Sequence, residues 1–248
     1  MLELATSTTT EVSRFLSSGR AVVLVPIGST EPHGPHLPLC TDVTISHAAC
    51  VRAVPLLASQ GVAAAIAPAV PYGVTDFAAG FAGAVGVTAP VLVSFLSAVA
   101  GAWLSQGAAH VCLVNNHLEP AHDQAVREAA KQFSSRQVSV ACPLTRKWGR
   151  TLSAEFKSGA CHAGQYETSL VLSADAGLVR EVYRGLPALA HSLSEAIAAG
   201  KHTFIEAGMV DAYTGAPSAA SAQEGSELYD KLAVMIASEI TTAMAEEA

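Results

Sequence analysis

Apolar runs bounded by Gly, Pro or Asn fall at Ala21 to Ile27, Val62 to Val70 and Val111 to Val114, and a shorter one at Val138 to Cys142 stops at Pro143. Each is rich in Val, Ile or Ala, which suits strands buried on both faces. Apolar residues recur at helical spacing over Thr44 to Leu57, Pro90 to Leu104, Pro120 to Phe133, Ala163 to Leu172, Leu186 to Ala199 and Gln223 to Ala245. Strand and helix thus alternate. That pattern predicts an α/β fold, layered, with a mostly parallel central sheet flanked by helices. No fixed-period repeat and no charged or proline-rich linker interrupts it, so the chain reads as one domain over 1–248. The longest irregular stretch, Glu206 to Glu224, contains Gly208, Gly215 and Pro217 and is a candidate lid or subunit contact.

One segment calls for a membrane test, because Phe77 to Ala109 contains no Asp, Glu, Lys, Arg or His. Gly80, Gly83, Gly86, Thr88, Pro90 and Ser94 break it, and only Val91 to Leu104 is continuous, short of the ~20 residues that span a bilayer. A buried helix with Thr88 as N-cap and Pro90 in its first turn is the expectation. Composition agrees. The chain has 248 residues, 50% of them apolar and 14% charged, with a net charge of -7. Such apolar content excludes a disordered chain. An acidic balance without a Lys/Arg cluster argues against nucleic-acid and anionic-membrane partners. Cys40, Cys50, Cys112, Cys142 and Cys161 are odd in number and widely spaced, so they read as reduced thiols. Met1 to Arg20 lacks the basic-then-apolar order of a signal peptide. The expectation is a cytoplasmic protein.

Ligands of open α/β sheets collect at the carboxyl ends of the strands, and the polar residues of this chain gather there. After the first strand, Gly28-Ser29-Thr30-Glu31-Pro32-His33-Gly34-Pro35-His36-Leu37-Pro38-Leu39-Cys40-Thr41-Asp42 holds Glu31, His33, His36 and Asp42 in a loop stiffened by proline. After the third comes Asn115-Asn116-His117-Leu118-Glu119-Pro120, where His117 and Glu119 alternate and so point the same way in extended backbone. Two Glu/His pairs plus Asp42 make five oxygen or nitrogen ligands from two regions. Two divalent cations there would be offset by the three carboxylates and a bridging hydroxide, leaving a near-neutral site that burial tolerates. Mixed imidazole and carboxylate favours Zn, Mn, Fe or Co over Mg or Ca.

Alone, Asp42 is most simply an N-cap and Glu119 a compensator of a helix dipole; jointly, capping does not account for the set. His36 is either a further ligand or, the simpler reading, a donor that orients a carboxylate. His47, His110, His122, His191 and His202 have no such neighbourhood and read as surface or structural. A third cluster, His162-Ala163-Gly164-Gln165-Tyr166-Glu167-Thr168-Ser169, enters a helix. It offers His162 as a proton shuttle, while Glu167 falls in the first helical turn, where it reads as a compensator of the helix dipole. Cys40 and Cys161 compete as nucleophiles, with buried inert thiols the simpler reading. Neither a GxSxG elbow nor a phosphate-cradling glycine motif is present.

The segment Pro26 to Asp42 resembles the PxGSxExHGPHLPLxTD signature of the creatininase (creatinine amidohydrolase) superfamily. Val114-Asn115-Asn116-His117 resembles its VNGH, residues 162–169 its HAGxxETS, and Thr214-Gly215-Ala216-Pro217 with Ala220 and Gly225 a weaker tail motif. Position by position, the resemblance implies that Glu31, Asp42 and His117 hold one metal and His33, Asp42 and Glu119 the other, with Asp42 bridging. It implies His162 as the proton-transfer residue and Glu167 as a carboxylate beside the metals. Family members open creatinine, deformylate a pyrimidine intermediate or trim the mycofactocin precursor peptide, commonly as hexamers. The resemblance therefore implies an amidohydrolase with two divalent ions, Zn first and Mn or Fe as alternatives, acting on a small-molecule amide such as creatinine or a formamide. A metal-activated hydroxide would attack the amide, with Glu119 or Glu167 taking the water's proton. Two other readings stay open: an isomerase or lyase using the same ligands, and a non-catalytic small-molecule binder, the latter suggested by Asn116, Pro120 and the Phe81-Ala82-Gly83-Ala84 turn.

Overall fold

The computed structural model describes residues 1–245; residues 246–248 of the expected 1–248 domain lie outside the described residues. Strands β1 (Leu2–Glu3), β2 (Val22–Ile27), β3 (Ala64–Ile66), β4 (His110–Asn115) and β5 (Val138–Ala141) form one parallel sheet in the order β1-β3-β2-β4-β5. Every residue of β2 and β4 is buried, because helices cover both faces. Their register pairs Ile27 with Asn115, which sets the two carboxyl ends side by side.

The helices are α1 (Thr9–Leu16), α2 (Thr41–Ser59), α3 (Ala89–Ser105), α4 (Pro120–Ala130), α5 (Arg146–Gly149), α6 (Ala154–Ser158), α7 (Gln165–Asp175), α8 (Leu193–Ala198) and α9 (Ala222–Ala245). Side chains alternate across a strand, and the two cores follow that alternation. Val22, Leu24, Cys112 and Val114 pack with Ile45 and Leu57 of α2, Leu170 of α7 and Ile236 of α9. Val23, Val25, Val111 and Leu113 pack on the other face with Leu16 of α1, Leu92 and Leu96 of α3 and Val126 of α4. A third, smaller cluster joins Ala78, Phe204, Ala207, Met209 and Ala212, flanked by Phe77, Phe81 and Leu193.

Several expectations shift. Helix α3 begins after Thr88 and carries Pro90 in its first turn, but it is not a buried helix: only Leu92, Leu96 and Ala100 are buried, while Val91 and Phe95 are 55% and 51% exposed. As an outer-layer helix it turns a single i, i+4, i+8 stripe to the sheet. The helix expected over Leu186 to Ala199 shrinks to α8, because Leu189 instead exchanges both backbone hydrogen bonds with Gly215, at 2.8 and 2.7 Å. The strand expected over Val62 to Val70 is regular only over β3, although Ala67 and Val70 still donate to Leu24 and Pro26 of β2. Glu206 to Ser221 is irregular apart from one turn of 3-10 helix at Pro217–Ala219, and α9 starts at Ala222. No described helix is long and apolar enough to cross a membrane.

Candidate functional site

Four segments meet at the carboxyl edge of β2 and β4. The loop after β2 brings Glu31 and His33 and enters α2 at Asp42. It crosses close to that helix at Gly28, whose Cβ would lie 2.5 Å from the Val43 nitrogen. The turn after β4 brings His117 and Glu119 and runs into α4. The approach to α7 brings His162, and the first turn of α7 brings Glu167. A fourth segment, Gly73 to Phe77, follows β3. Glu31, His33, Asp42, His117, Glu119, His162 and Glu167 are all buried.

Each histidine at the centre is oriented by backbone. His33 Nδ1 bonds to the Glu31 carbonyl at 3.1 Å, which aims Nε2 inward, 3.1 Å from Asp42 Oδ1, 3.6 Å from Glu167 Oε2 and 3.8 Å from Glu31 Oε1. His117 Nε2 bonds to the Val74 carbonyl at 2.7 Å, leaving Nδ1 facing Asp42 Oδ2 at 3.0 Å and Glu31 Oε1 at 3.3 Å. Asp42 therefore lies between the two rings. Ligand atoms converge in three overlapping groups: Glu31/Asp42/His117, His33/Asp42/Glu167 and Glu31/His33/His162, each within 4.8 Å. Despite this crowding, His33 Nε2 and Asp42 Oδ2 have no hydrogen-bond partner of good geometry. Buried polar atoms left unmatched, in a mixed imidazole–carboxylate set, fit a divalent cation.

Glu119 stands apart from those groups. Its carboxylate lines the same cavity but accepts the backbone N–H of Asp76 and of Phe77, at 3.2 and 3.3 Å. The structure groups Glu167, not Glu119, with His33 and Asp42. Glu167 is held by the Ala163 N–H at 2.6 Å, from a residue at φ 51. His162 Nε2 bonds to the Pro32 carbonyl at 3.0 Å, its Nδ1 lies 4.0 Å from Glu31 Oε1, and its ring stacks on Phe204 at 4.3 Å. His36 orients no carboxylate; its Nε2 meets the Thr168 hydroxyl at 2.9 Å.

The charges interlock. Burial alone would lower the His33 pKa, but Asp42, Glu167 and Glu31 raise it to about 10. Burial opposes the rise at His117 as well, yet Glu31 and Asp42 lift it well above the ordinary imidazole value. Asp42 moves the other way: burial favours its neutral form, and His33 and His117 hold it far below the carboxylate range. In the metal-free protein, two histidine protons thus balance the carboxylates as a cation would. Burial raises Glu119 to about 7 and Glu167 to about 8 and lowers His162 to about 4, with His33 adding to the last shift. Burial also pushes the Cys161 thiol far up, which removes it as a nucleophile.

The cavity over this centre is narrow, about 50 Å³, with Phe77, Leu118, Pro120, Leu193, Ile197 and Phe204 as its apolar wall. Sequence reasoning missed the segment after β3. There, Thr75 donates a hydrogen bond to Glu31, Val74 orients His117, and Asp76 and Phe77 hold Glu119. Three of those four act through backbone atoms, which leave no mark in a sequence. His122, read as surface or structural, is buried against His117, with ring centroids 4.6 Å apart.

Fold and donor set define a class: layered α/β proteins whose parallel strands end in a buried carboxylate–imidazole centre. A family model described as creatinine amidohydrolase matches residues 5–240, and the chain belongs to this creatininase family of hydrolases. It is 31% identical over 228 residues to the mycofactocin precursor peptide peptidase of Mycolicibacterium smegmatis, covering 90% of this chain and 85% of that one. To the peptidase of the same name from Mycobacterium tuberculosis it is 28% identical over 242 residues, covering 92% and 86%. Among solved structures, a creatininase described with Mn superposes at a TM-score of 0.74 with 18% identity over 99% of both chains. A second creatinine amidohydrolase gives 0.73 at 18% identity, again over 99% of each. These superpositions show a shared fold.

Proposed function

We propose that the chain works as one domain, a metal-dependent amidohydrolase that cleaves an amide C–N bond. Asp42 carries the reading: a buried carboxylate whose two oxygens face His33 at 3.1 Å and His117 at 3.0 Å can belong to two ligand sets at once. Glu31, Asp42 and His117 then hold one divalent cation, and His33, Asp42 and Glu167 the other. Zn is the first choice and Mn or Fe the next. Bound there, such cations supply Lewis-acid polarisation of a carbonyl and a lowered pKa for water.

The remaining residues handle protons. Glu119, outside the ligand groups, suits a general base, because two backbone N–H groups keep its carboxylate on the cavity wall. His162 commits Nε2 to the Pro32 carbonyl, so its free lone pair is on Nδ1. It takes up a proton there and delivers it to the departing nitrogen, which an amide needs because its anion leaves poorly.

The substrate is a small amide, or a longer one that presents its reacting carbonyl through a narrow apolar mouth. Creatinine and formamides qualify, and kinship with the mycobacterial peptidases adds short peptides. A cytoplasmic setting fits five cysteines outside any disulfide. Exposed Val91 and Phe95 on α3 support a homo-oligomer, with a hexamer as the form the resemblance implies. Metal analysis of purified protein, followed by a screen of creatinine, formamides and short peptides in ¹⁸O-water, tests the reading. Label in the product supports hydrolysis; turnover without label assigns the same ligands to an isomerase or lyase; binding without turnover leaves a binding protein.

A further inference from the structure

Taking the buried cluster to be a metal centre, we propose that His122 is a positioning residue for it, acting on the ligand His117 through the backbone of Val74. Val74 uses both of its backbone groups on histidines. Its N–H donates to His122 Nδ1 at 3.2 Å, and its carbonyl accepts from His117 Nε2 at 2.7 Å. Because a backbone N–H only donates, His122 Nδ1 must carry a lone pair, and a neutral ring then bears its proton on Nε2. The same logic at His117 puts the proton on Nε2 and leaves Nδ1 to face Asp42 and Glu31. One peptide segment thus holds two rings in complementary roles.

Packing makes this coupling stiff. A Cβ on Gly73 would lie 2.3 Å from His122 Nδ1, so the segment is pressed onto the ring and only glycine fits there. The His122 ring meets His117 edge to face, at 4.6 Å and 74°. It has no exposure to solvent, and its Nε2 has no hydrogen-bond partner. A histidine that served only to fill space would not need its one acceptor aimed at the residue that orients a ligand. Helix α4 ties the arrangement to the same segment a second time, because Glu119, just before its N-terminus, accepts from the Asp76 and Phe77 N–H groups while His122 sits in its first turn.

Zn²⁺ affinity, measured by competition with a chromophoric chelator, tests the proposal without any substrate. Phe at position 122 keeps the ring volume and removes the acceptor, whereas Asn offers Oδ1 close to where Nδ1 stood. H122F is expected to bind Zn²⁺ roughly 10-fold or more weakly than the parent protein, in the range for partners that orient a ligand. H122N is expected to recover most of that loss. Equal affinity in H122F and the parent overturns the proposal, as does H122N being impaired as much as H122F. Should H122F not fold, long-range ¹H–¹⁵N spectra of the parent at pH 7 decide: a proton on His122 Nε2 supports the role, and a proton on Nδ1 overturns it. A parent protein that binds no Zn²⁺ or Mn²⁺ refutes the metal centre itself, a separate failure from a parent that binds while H122F is unaffected.

Discussion

The floor and the cover of the cavity are built by opposite means. On the floor, nearly every functional side chain has a fixed partner: His33 the Glu31 carbonyl, His117 the Val74 carbonyl, Glu31 the Thr75 hydroxyl, Glu119 two backbone N–H groups and Glu167 the Ala163 N–H. The cover, residues 193–212, reaches the site through apolar contact, chiefly the Phe204 ring on His162. It is anchored by a few backbone bonds, such as Phe204 to Phe77 at 2.7 Å and Gly34 to Ala212 at 2.8 Å. Hydrogen bonds specify direction and apolar contact specifies only proximity. Changes on the floor should therefore remove chemistry, and changes in the cover should alter access.

The largest expected effect breaks the floor at its centre. His117→Ala should lose bound metal and amide turnover together, with turnover falling at least ~10²-fold, beyond the range seen for residues that merely orient a ligand. Metal content by mass spectrometry and the rate on the best amide check it. Full activity in that variant would refute the ligand assignment.

Next comes a contrast between metal-free and metal-loaded protein across pH. Glu119 and Glu167 rise to about 7 and about 8 from an ordinary 4.5, and His33 to about 10 from 6.5, so the folded chain holds these protons more tightly than the unfolded one. Stability falls with rising pH wherever the folded state binds more protons. The His33 contribution is complete below 6.5 and is lost as pH rises through about 10. His162 and His36, lowered to about 4, act in the opposite sense only up to 6.5. Chelated protein should therefore lose Tm steadily from about pH 7 to about pH 10. Cations bind deprotonated ligands, so the Tm gap between Zn-loaded and chelated protein should widen over the same interval. A gap that stays constant would place the metal elsewhere.

Thr75→Val is a smaller cut into the floor. It keeps the shape of a nearly buried side chain and removes the hydroxyl that holds Glu31. Losing that partner should cost about 1–3 kcal/mol of stability in denaturant titrations and weaken Zn²⁺ binding roughly 10-fold. Thr75→Ser should behave like the parent; equal losses in both variants would assign Thr75 to packing alone.

The same division governs what the sequence made legible. Strands β2, β4 and β5 and helices α2, α4 and α9 stand out because burial forces continuous apolar runs or a 3.6-residue period. Glu31, His33, Asp42 and His117 stand out because reactive side chains crowd two strand ends. By contrast β1, two residues long, has no period to detect, and α1 was passed over although Thr8 and Glu11 form a capping box. That Glu167 lies beside His33 could not be read from spacing, because it depends on how α7 approaches the sheet across more than a hundred residues of chain. The Gly73 to Phe77 segment was hidden because most of its work is done by peptide groups common to every residue.

The smallest expected effect on global stability lies in the cover. Replacing a buried Phe by Ala ordinarily costs ~3–5 kcal/mol. Phe204, 3% exposed, belongs to a cluster separate from the two cores on the sheet, whose other buried members are Ala and Met. A small apolar unit of this kind opens at lower free energy than the sheet. Phe204→Ala should therefore lower Tm less than Leu96→Ala, which empties the core beneath α3, and should raise KM several-fold while leaving metal content unchanged. Hydrogen exchange supplies the same comparison in the parent protein: the Phe204 and Met209 amides should exchange well before those of Val23 and Leu113. If they exchange together, or if Phe204→Ala unfolds as readily as Leu96→Ala, the cover is part of the same cooperative unit as the floor, and access to the site is set by the fold as a whole.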